Sequence, residues 1–383
     1  NNNGNSVLTV NSSGLVDLAG TLRLSNNNTN RTFTVSGTGN TAVSGVIENG
    51  GTSVSNLSKT GNGTLTLSGN NIYSGTTTIT AGSLLLGSNT ALGTGNVALN
   101  GGTLSAQGGS RTLSNNVTIG GNAAIGGSSD LTFNGIFGNL AADRTLTLTN
   151  TALTTITGNI PISNSGTSRR LTIAGAGNLT VNGNITNGST STVSAITKTN
   201  TGTLTLNGNN SFGGTTILTA GTTAAGSNTA LGTGAISLNG GTLQGAGGSR
   251  TLNNNITLAA NSTIAGTSDL SLNGTITNSG GNRTLTVSNT GQTSFGGTVN
   301  LSENTTNRIL TIAGSGNTTF SGVIQNGGGS TAGVLTKSGA GTMIVSDNNT
   351  YAGATNITGG TVRLGAANRI ANGSILSVNS GAT

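Results

Sequence analysis

Thr64-Leu65-Thr66-Leu67, set between Lys59-Thr60-Gly61-Asn62-Gly63 and Ser68-Gly69-Asn70-Asn71, is the run on which the fold turns. Apolar and hydroxyl side chains alternate with period two, the spacing at which a strand sends successive side chains to opposite faces. The alternation returns at Thr145-Leu146-Thr147-Leu148, Thr203-Leu204-Thr205-Leu206 and Thr284-Leu285-Thr286-Val287. Leu65, Leu67, Leu146, Leu148, Leu204, Leu206, Leu285 and Val287 are therefore expected inside and the threonines outside. β-Branched residues dominate these runs, as strands favour. Gly-Asn, Asn-Gly and Gly-Gly pairs between them supply turns with positive φ.

Working outward, the same words recur at long range. Gly87-Ser-Asn-Thr-Ala-Leu-Gly-Thr-Gly95 returns unchanged as Gly226 to Gly234, 139 positions later. Asn100-Gly-Gly-Thr-Leu104, Gly108-Gly-Ser-Arg-Thr-Leu113 and Leu171-Thr-Ile-Ala-Gly175 return at the same offset, and Lys59, Lys198 and Lys337 keep it too. The chain divides into a tail of one copy (1–56, offset by 138), two full copies (57–195 and 196–334) and the head of another (335–383). It begins and ends inside a copy, as expected for a segment of a longer repetitive polypeptide. No signal peptide opens at Asn1, which fits a mature product or an excised fragment.

Within each copy a finer period runs, with Arg111, Arg144, Arg169 and Lys198 at or just before strand-like runs. Units of about 25 residues with two or three short strands match one turn of a β-solenoid, in which no turn buries its apolar face without its neighbours. The expected fold is all-β: a parallel β-helix (β-solenoid), one continuous rod of roughly 15–19 rungs at about 4.8 Å each. Residues 139–143 are expected as a side loop. Asn side chains at turns are expected to stack on one another as amide ladders. The competing fold, an array of antiparallel sandwiches, lacks the aromatic residues to fill its cores, at 2% of the chain.

Composition removes most chemistry. The chain has 383 residues, 5% of them charged, with no Cys and no His. Ser-His and Cys-His nucleophile pairs, the usual zinc ligands, haem and iron–sulfur clusters are excluded, and no cofactor or metal is expected. The seven carboxylates, Asp17, Glu48, Asp130, Asp143, Asp269, Glu303 and Asp347, are scattered. A polysaccharide lyase or hydrolase is thereby the weakest reading, and no enzyme activity is expected. A net charge of +7 spread this thinly, without stacking aromatics, argues against nucleic acid. No apolar run reaches the ~18–20 residues of a membrane helix.

Leu57-Ser-Lys-Thr-Gly-Asn-Gly-Thr-Leu-Thr-Leu-Ser-Gly-Asn-Asn-Ile-Tyr-Ser-Gly75, continuing to Ala81-Gly82-Ser83-Leu84, resembles the passenger-associated transport repeat of autotransporters, also called the autotransporter-associated β-strand repeat. The signature returns at Ile196-Thr-Lys-Thr-Asn-Thr-Gly-Thr-Leu204 and from Leu335-Thr-Lys-Ser-Gly-Ala-Gly341 to Gly359-Gly-Thr-Val362. The second copy departs, with Gly221-Thr-Thr-Ala224 in place of an apolar run and Phe212 in place of a tyrosine. The resemblance implies a right-handed parallel β-helix exported to the surface of a Gram-negative cell, where the repeat assists secretion and folding.

The repeated lysines Lys59, Lys198 and Lys337 read either as contacts for acidic sugars or as solvated cations that keep sheet edges apart. A basic ladder of Arg111, Arg144, Arg169, Lys198, Arg250, Arg283 and Arg308 reads either as a polyanion-facing column or as a structural set bonded to turn carbonyls of adjacent rungs. Asp130 and Asp269 read as turn residues. The function expected is that of an extracellular structural or adhesive surface fibre. The alternative is an ice- or polysaccharide-surface binder using outward Thr ranks at Thr64/Thr66, Thr76/Thr78, Thr145/Thr147 and Thr203/Thr205. Neither terminus resembles a solenoid cap, so self-association is expected, end to end or laterally through equivalent faces of successive copies. Cell-surface glycans are a further expected partner.

Overall fold

The structure, a computed structural model, describes residues 4–138, 141–188, 190, 193–199, 201–367, 369–371 and 373–383. Part of the side loop expected at 139–143 lies outside these residues. Among the described residues there is no helix, and none therefore long and apolar enough to cross a membrane. Short parallel strands stack as a β-solenoid of about 16 turns. The chain forms two compact units, Asn1–Ala195 with Asn200–Gly202, and Ile196–Thr199 with Thr203–Thr383. Their division falls where the second full sequence copy begins.

In the first unit the chain visits three faces in succession. The first stacks Ser6–Thr9, Thr32–Ser36, Asn56–Lys59, Thr77–Ile79, Val97–Leu99, Val117–Ile119 and Phe137–Gly138. The second runs from Val16–Asp17 through Thr64–Leu67 and Ser83–Leu86 to Arg144–Leu148 and Arg170–Gly175. The third includes Arg111–Leu113, Leu131–Phe133, Leu153–Ile156 and Asn178–Val181. Register keeps like on like: Leu65, Leu84, Leu104, Ile125 and Leu148 form one inward ladder, every member inaccessible to solvent. All eight side chains expected inside are at most 3% exposed. In the second unit the matching ladder is Leu204, Thr223, Leu243, Ile264 and Val287.

The copies do not repeat on the same face. In the first unit Thr32–Ser36 pairs with Asn56–Lys59 on the first face. Its sequence equivalent, Arg170–Gly175, pairs with Arg144–Leu148 on the second. In the second unit Thr216–Leu218 shares a sheet with Ile236–Leu238 and Ile256–Leu258, whereas its equivalent Thr355–Ile357 stacks on Val334–Lys337 in the sheet of Thr203–Leu206. Each copy of 139 residues thus spans six turns and one further face, about 22 residues per turn. This corrects the premise that successive copies present equivalent faces side by side: equivalent strands lie on successive faces.

Asparagine works differently from the amide ladder expected. At corners between strands, backbone N–H groups leave the sheet ladder and need another acceptor. Asn side chains of the preceding turn supply it: Asn40 Oδ1 accepts Thr64 N–H (3.3 Å), Asn56 that of Thr76 (2.8 Å) and Asn122 that of Thr145 (2.9 Å). In the second unit Asn228 and Asn261 serve Thr251 (3.0 Å) and Thr284 (2.8 Å) in the same way. Asp130 and Asp269 do likewise for Leu153 (2.9 Å) and Gln292 (2.8 Å). The amide seals a corner; it seldom stacks on another amide.

Candidate functional site

The most repeated chemistry is inside the solenoid. Lys59 ends the strand Asn56–Lys59 on an inward position and is 2% exposed; Lys198 and Lys337 are equally buried. Both sequence readings of these lysines, sugar contact and solvated cation, are corrected by this burial. Lys59 Nζ donates to Thr60 O and Gly61 O at 2.7 Å in its own turn and to Ala81 O at 3.3 Å in the next. Lys337 does the same to Ser338 O (2.8 Å), Gly339 O (2.7 Å) and Gly359 O (3.4 Å). Lys198 reaches Ala220 O at 3.0 Å. Burial lowers the pKa of all three ammonium groups, that of Lys198 to about 8.

The glycine beside each carbonyl cage is required by geometry. Gly82 has φ +67°, and a Cβ there would lie 2.7 Å from Lys59 Nζ and 2.4 Å from Gly63 O. Gly360 stands in the same relation to Lys337. Only a residue without a side chain satisfies both the left-handed backbone and the contact.

Two further positions complete the motif. Asn71 accepts Ile47 N–H (2.7 Å) from the turn before and donates to Ala91 O (2.6 Å) of the turn after. Asn349 bridges Ile324 N–H and Arg369 O in the same manner, and Asn210 donates to Ala230 O. Tyr73 is fully buried with its hydroxyl 2.5 Å from Thr77 Oγ1, and Tyr351 repeats this with Thr355 at 2.6 Å. Burial pushes both phenol pKa values up, against the opposing effect of these hydrogen bonds. Where the second copy has Phe212, the Thr216 hydroxyl turns instead to Leu231 O at 3.0 Å. Outward positions of the motif drift freely, as Leu85 and Arg363 show.

The arginines of the proposed ladder do not form one column within either unit. Arg111 begins a third-face strand, whereas Arg144 and Arg169 stand at second-face strands of adjacent turns. In the second unit Arg250 belongs to one sheet, and Arg283 and Arg308 stand at strands of another. Lys198 is not surface-facing at all. Most bond to carbonyls close in sequence: Arg111 to Ser110 O and Gln107 O, with Leu86 O of an earlier turn; Arg250 to Ser249 O and Gly247 O; Arg144 to Asp143 O; Arg283 to Ser279 O. Arg308 instead grips Glu303 through two bonds, and Arg169 stands apart from both groups.

Outward threonines form regular columns in both units, among them Thr112, Thr132, Thr155 and Thr180 in the first and Thr203, Thr222, Thr242, Thr263 and Thr286 in the second. The paired ranks expected from Thr64/Thr66 do not continue: Thr66 is followed by Leu85 and Ser105, and Thr64 by Ser83 and Thr103. A two-column lattice of hydroxyls is absent from that face among the described residues.

Fold and motif define the class: a parallel β-solenoid whose turns are locked at intervals by a buried lysine–asparagine–tyrosine set. Residues 57–86, 196–225 and 335–364 match the repeat family described as passenger-associated-transport-repeat, so the solenoid carries three copies of that repeat, consistent with an autotransporter-passenger β-helix. No curated protein and no solved structure matches the chain.

Proposed function

We propose that this chain is a non-enzymatic length of an exported surface passenger, a structural or adhesive fibre element that works by stiffness and persistence. The observation that carries the reading is what the repeat preserves. Its lysine, asparagine, tyrosine or phenylalanine and glycine positions face inward, where they hold turn to turn, while its outward positions vary. A sequence selected for a ligand at each copy would hold the exterior constant instead. Extracellular or surface placement follows from the kind of proteins that carry the matched repeat. Self-association of the chain, end to end or laterally, belongs to the same reading.

The test is to join the chain between a secretion signal and an outer-membrane translocator and to measure surface exposure by protease shaving of intact cells. The reading expects a protease-resistant, surface-exposed product, concentration-dependent filaments of the purified chain under electron microscopy, and background turnover on glycans, peptides and esters. Retention in the periplasm as a readily digested chain would refute it.

A further inference from the structure

Three sequence-equivalent arginines, Arg31, Arg169 and Arg308, each precede a strand at the end of the same loop. The loop is held alike in all three by a fully buried serine. Ser163 Oγ donates to Ser165 O (2.9 Å) and Thr167 O (2.6 Å), Ser302 Oγ to Asn304 O (3.0 Å) and Thr306 O (2.7 Å), and Ser25 Oγ to Asn27 O (2.9 Å). The residue after that serine differs: Glu303 in one copy, Asn164 and Asn26 in the others.

Where glutamate is present, it fills the arginine. Glu303 accepts Arg308 Nε–H at 2.9 Å and Nη2–H at 2.7 Å, with the guanidinium side chain only 13% exposed. It also accepts Gly280 N–H at 3.0 Å. Burial alone would raise the Glu303 pKa; the hydrogen bonds and the Arg308 charge outweigh it and hold the carboxyl below its usual range. This is the two-pronged recognition for which arginine and carboxylate are shaped.

Where asparagine is present, no carboxylate of the loop meets the arginine. Arg169 Nε and Arg31 Nε are buried with no hydrogen-bond partner among the described residues, as are those of Arg144, Arg250 and Arg369. Arg169 borders a cleft of about 120 Å³ together with Asp143, Ser168, Arg170, Val193 and Ala195. Asp143 Oδ1 accepts Arg170 N–H at 2.8 Å, and no ion pair joins Asp143 to Arg169 among the described residues. A bare anion entering the cleft meets the Asp143 charge. A hydroxylated acid with its carboxylate on Arg169 would have hydroxyl donors to offer Asp143 across the cleft.

We propose that Arg169 anchors a binding site for a hydroxylated carboxylate, an acidic sugar of the uronate class, which takes the place that the chain's own Glu303 takes on Arg308. Arg31, in the same loop frame with Asn5 where Arg169 has Asp143, is a plainer carboxylate site. The assignment does not depend on the chain being a surface stalk.

The test is calorimetric or NMR titration of the full chain with sodium glucuronate, beside glucose, acetate, sulfate and poly-glutamate. Saturable glucuronate binding near 1 mM, on the order of a single well-placed contact set, is expected, at least tenfold tighter than acetate or sulfate. The double variant Asn26→Glu/Asn164→Glu installs the carboxylate that the Glu303 copy tolerates, so it folds, and it should abolish binding. Arg169→Gln should lower affinity at least tenfold with an unchanged circular dichroism spectrum. Failure of glucuronate to saturate, or binding unchanged by Asn26→Glu/Asn164→Glu, would overturn the site. Preference for sulfate or poly-glutamate over glucuronate would overturn the sugar-acid assignment.

Discussion

Replacing Lys59 with methionine separates the two effects that the buried lysine combines. Methionine keeps most of the aliphatic stem and removes the ammonium group, its charge and its three carbonyl bonds at 2.7, 2.7 and 3.3 Å. A hydrogen bond to a charged group contributes about 1.5–3 kcal/mol, and a buried carbonyl left without its donor costs about 1–3 kcal/mol. Against this stands the recovered desolvation penalty of the ammonium, several kcal/mol in its own right. The short bonds decide the sign: two turns lose their shared donor, and a net loss of about 2–4 kcal/mol is expected at neutral pH. Repeat proteins unfold segment by segment, so a single melting temperature is the wrong readout. Hydrogen exchange read by mass spectrometry resolves the segments, and residues 196–225 and 335–364 serve as internal controls within the same molecule. Protection should fall across 57–86 and persist in the two controls. Protection of 57–86 equal to or above that of the parent would show that the buried charge is a net burden and that the carbonyl cage does not hold the turns.

Thr223 occupies the inward slot that Leu84 fills in the first copy, and its hydroxyl is buried without a partner among the described residues. Thr223→Val should therefore stabilise residues 196–225 by about 1–2 kcal/mol in urea titration followed by exchange, and a loss would refute the assignment. Tyr73→Phe should cost no more than about 0.5–1.5 kcal/mol, because Thr77 can turn to Leu92 O as Thr216 turns to Leu231 O beside Phe212; a larger loss on denaturation would mean that the hydroxyl pair is irreplaceable. The Lys198 pKa is depressed from 10.5 to about 8, so between these values the unfolded chain binds more protons than the folded one. Stability should rise with pH from about 8 toward 9.5, before the raised tyrosine pKa values begin to act against the fold above pH 10, and Lys198→Met should flatten the rise. A parent urea midpoint that falls over pH 8–9.5 would contradict the sign.

Strand alternation was legible because a narrow solenoid leaves each short strand one wet face and one dry face, so Leu65 or Val287 has only one place to go. Repeat length was legible because duplication copies words such as Gly87 to Gly95 intact. Burial of Lys59 was hidden because a charged residue reads as exposed until the carbonyls that receive it are known: Thr60 and Gly61 bend theirs back over the ammonium group, and the third lies at Ala81, a turn away in space and 22 positions away in sequence. The role of asparagine was half legible: its abundance at corners showed, but whether Oδ1 meets another amide or a backbone N–H depends on the stagger between turns. The missing loop carboxylate at Arg169 was available to comparison of copies, through Asn164 against Glu303, yet without coordinates nothing tied position 303 to position 308.

The advance of one face per copy explains why the interior, and not the exterior, is what repeats. At the opening of the first full copy Phe33 faces Leu57 and Val35 faces Lys59 across adjacent turns; at the opening of the third, Leu310 faces Leu335 and Ile312 faces Lys337. The pairings are equivalent although, within each unit, they belong to differently placed faces. A duplicated segment is therefore accepted when its first strand finds the right neighbour one turn back, whether or not it contains a whole number of turns. That condition constrains the inward residues and the corner asparagines, which every face uses alike. It leaves the outward residues unconstrained, because within each unit the same sequence position lies on a different face in successive copies. A ligand site made by the outward residues of one copy is consequently free to differ from copy to copy, as the exchange of Glu303 for Asn164 shows, while Lys59, Lys198 and Lys337 remain fixed.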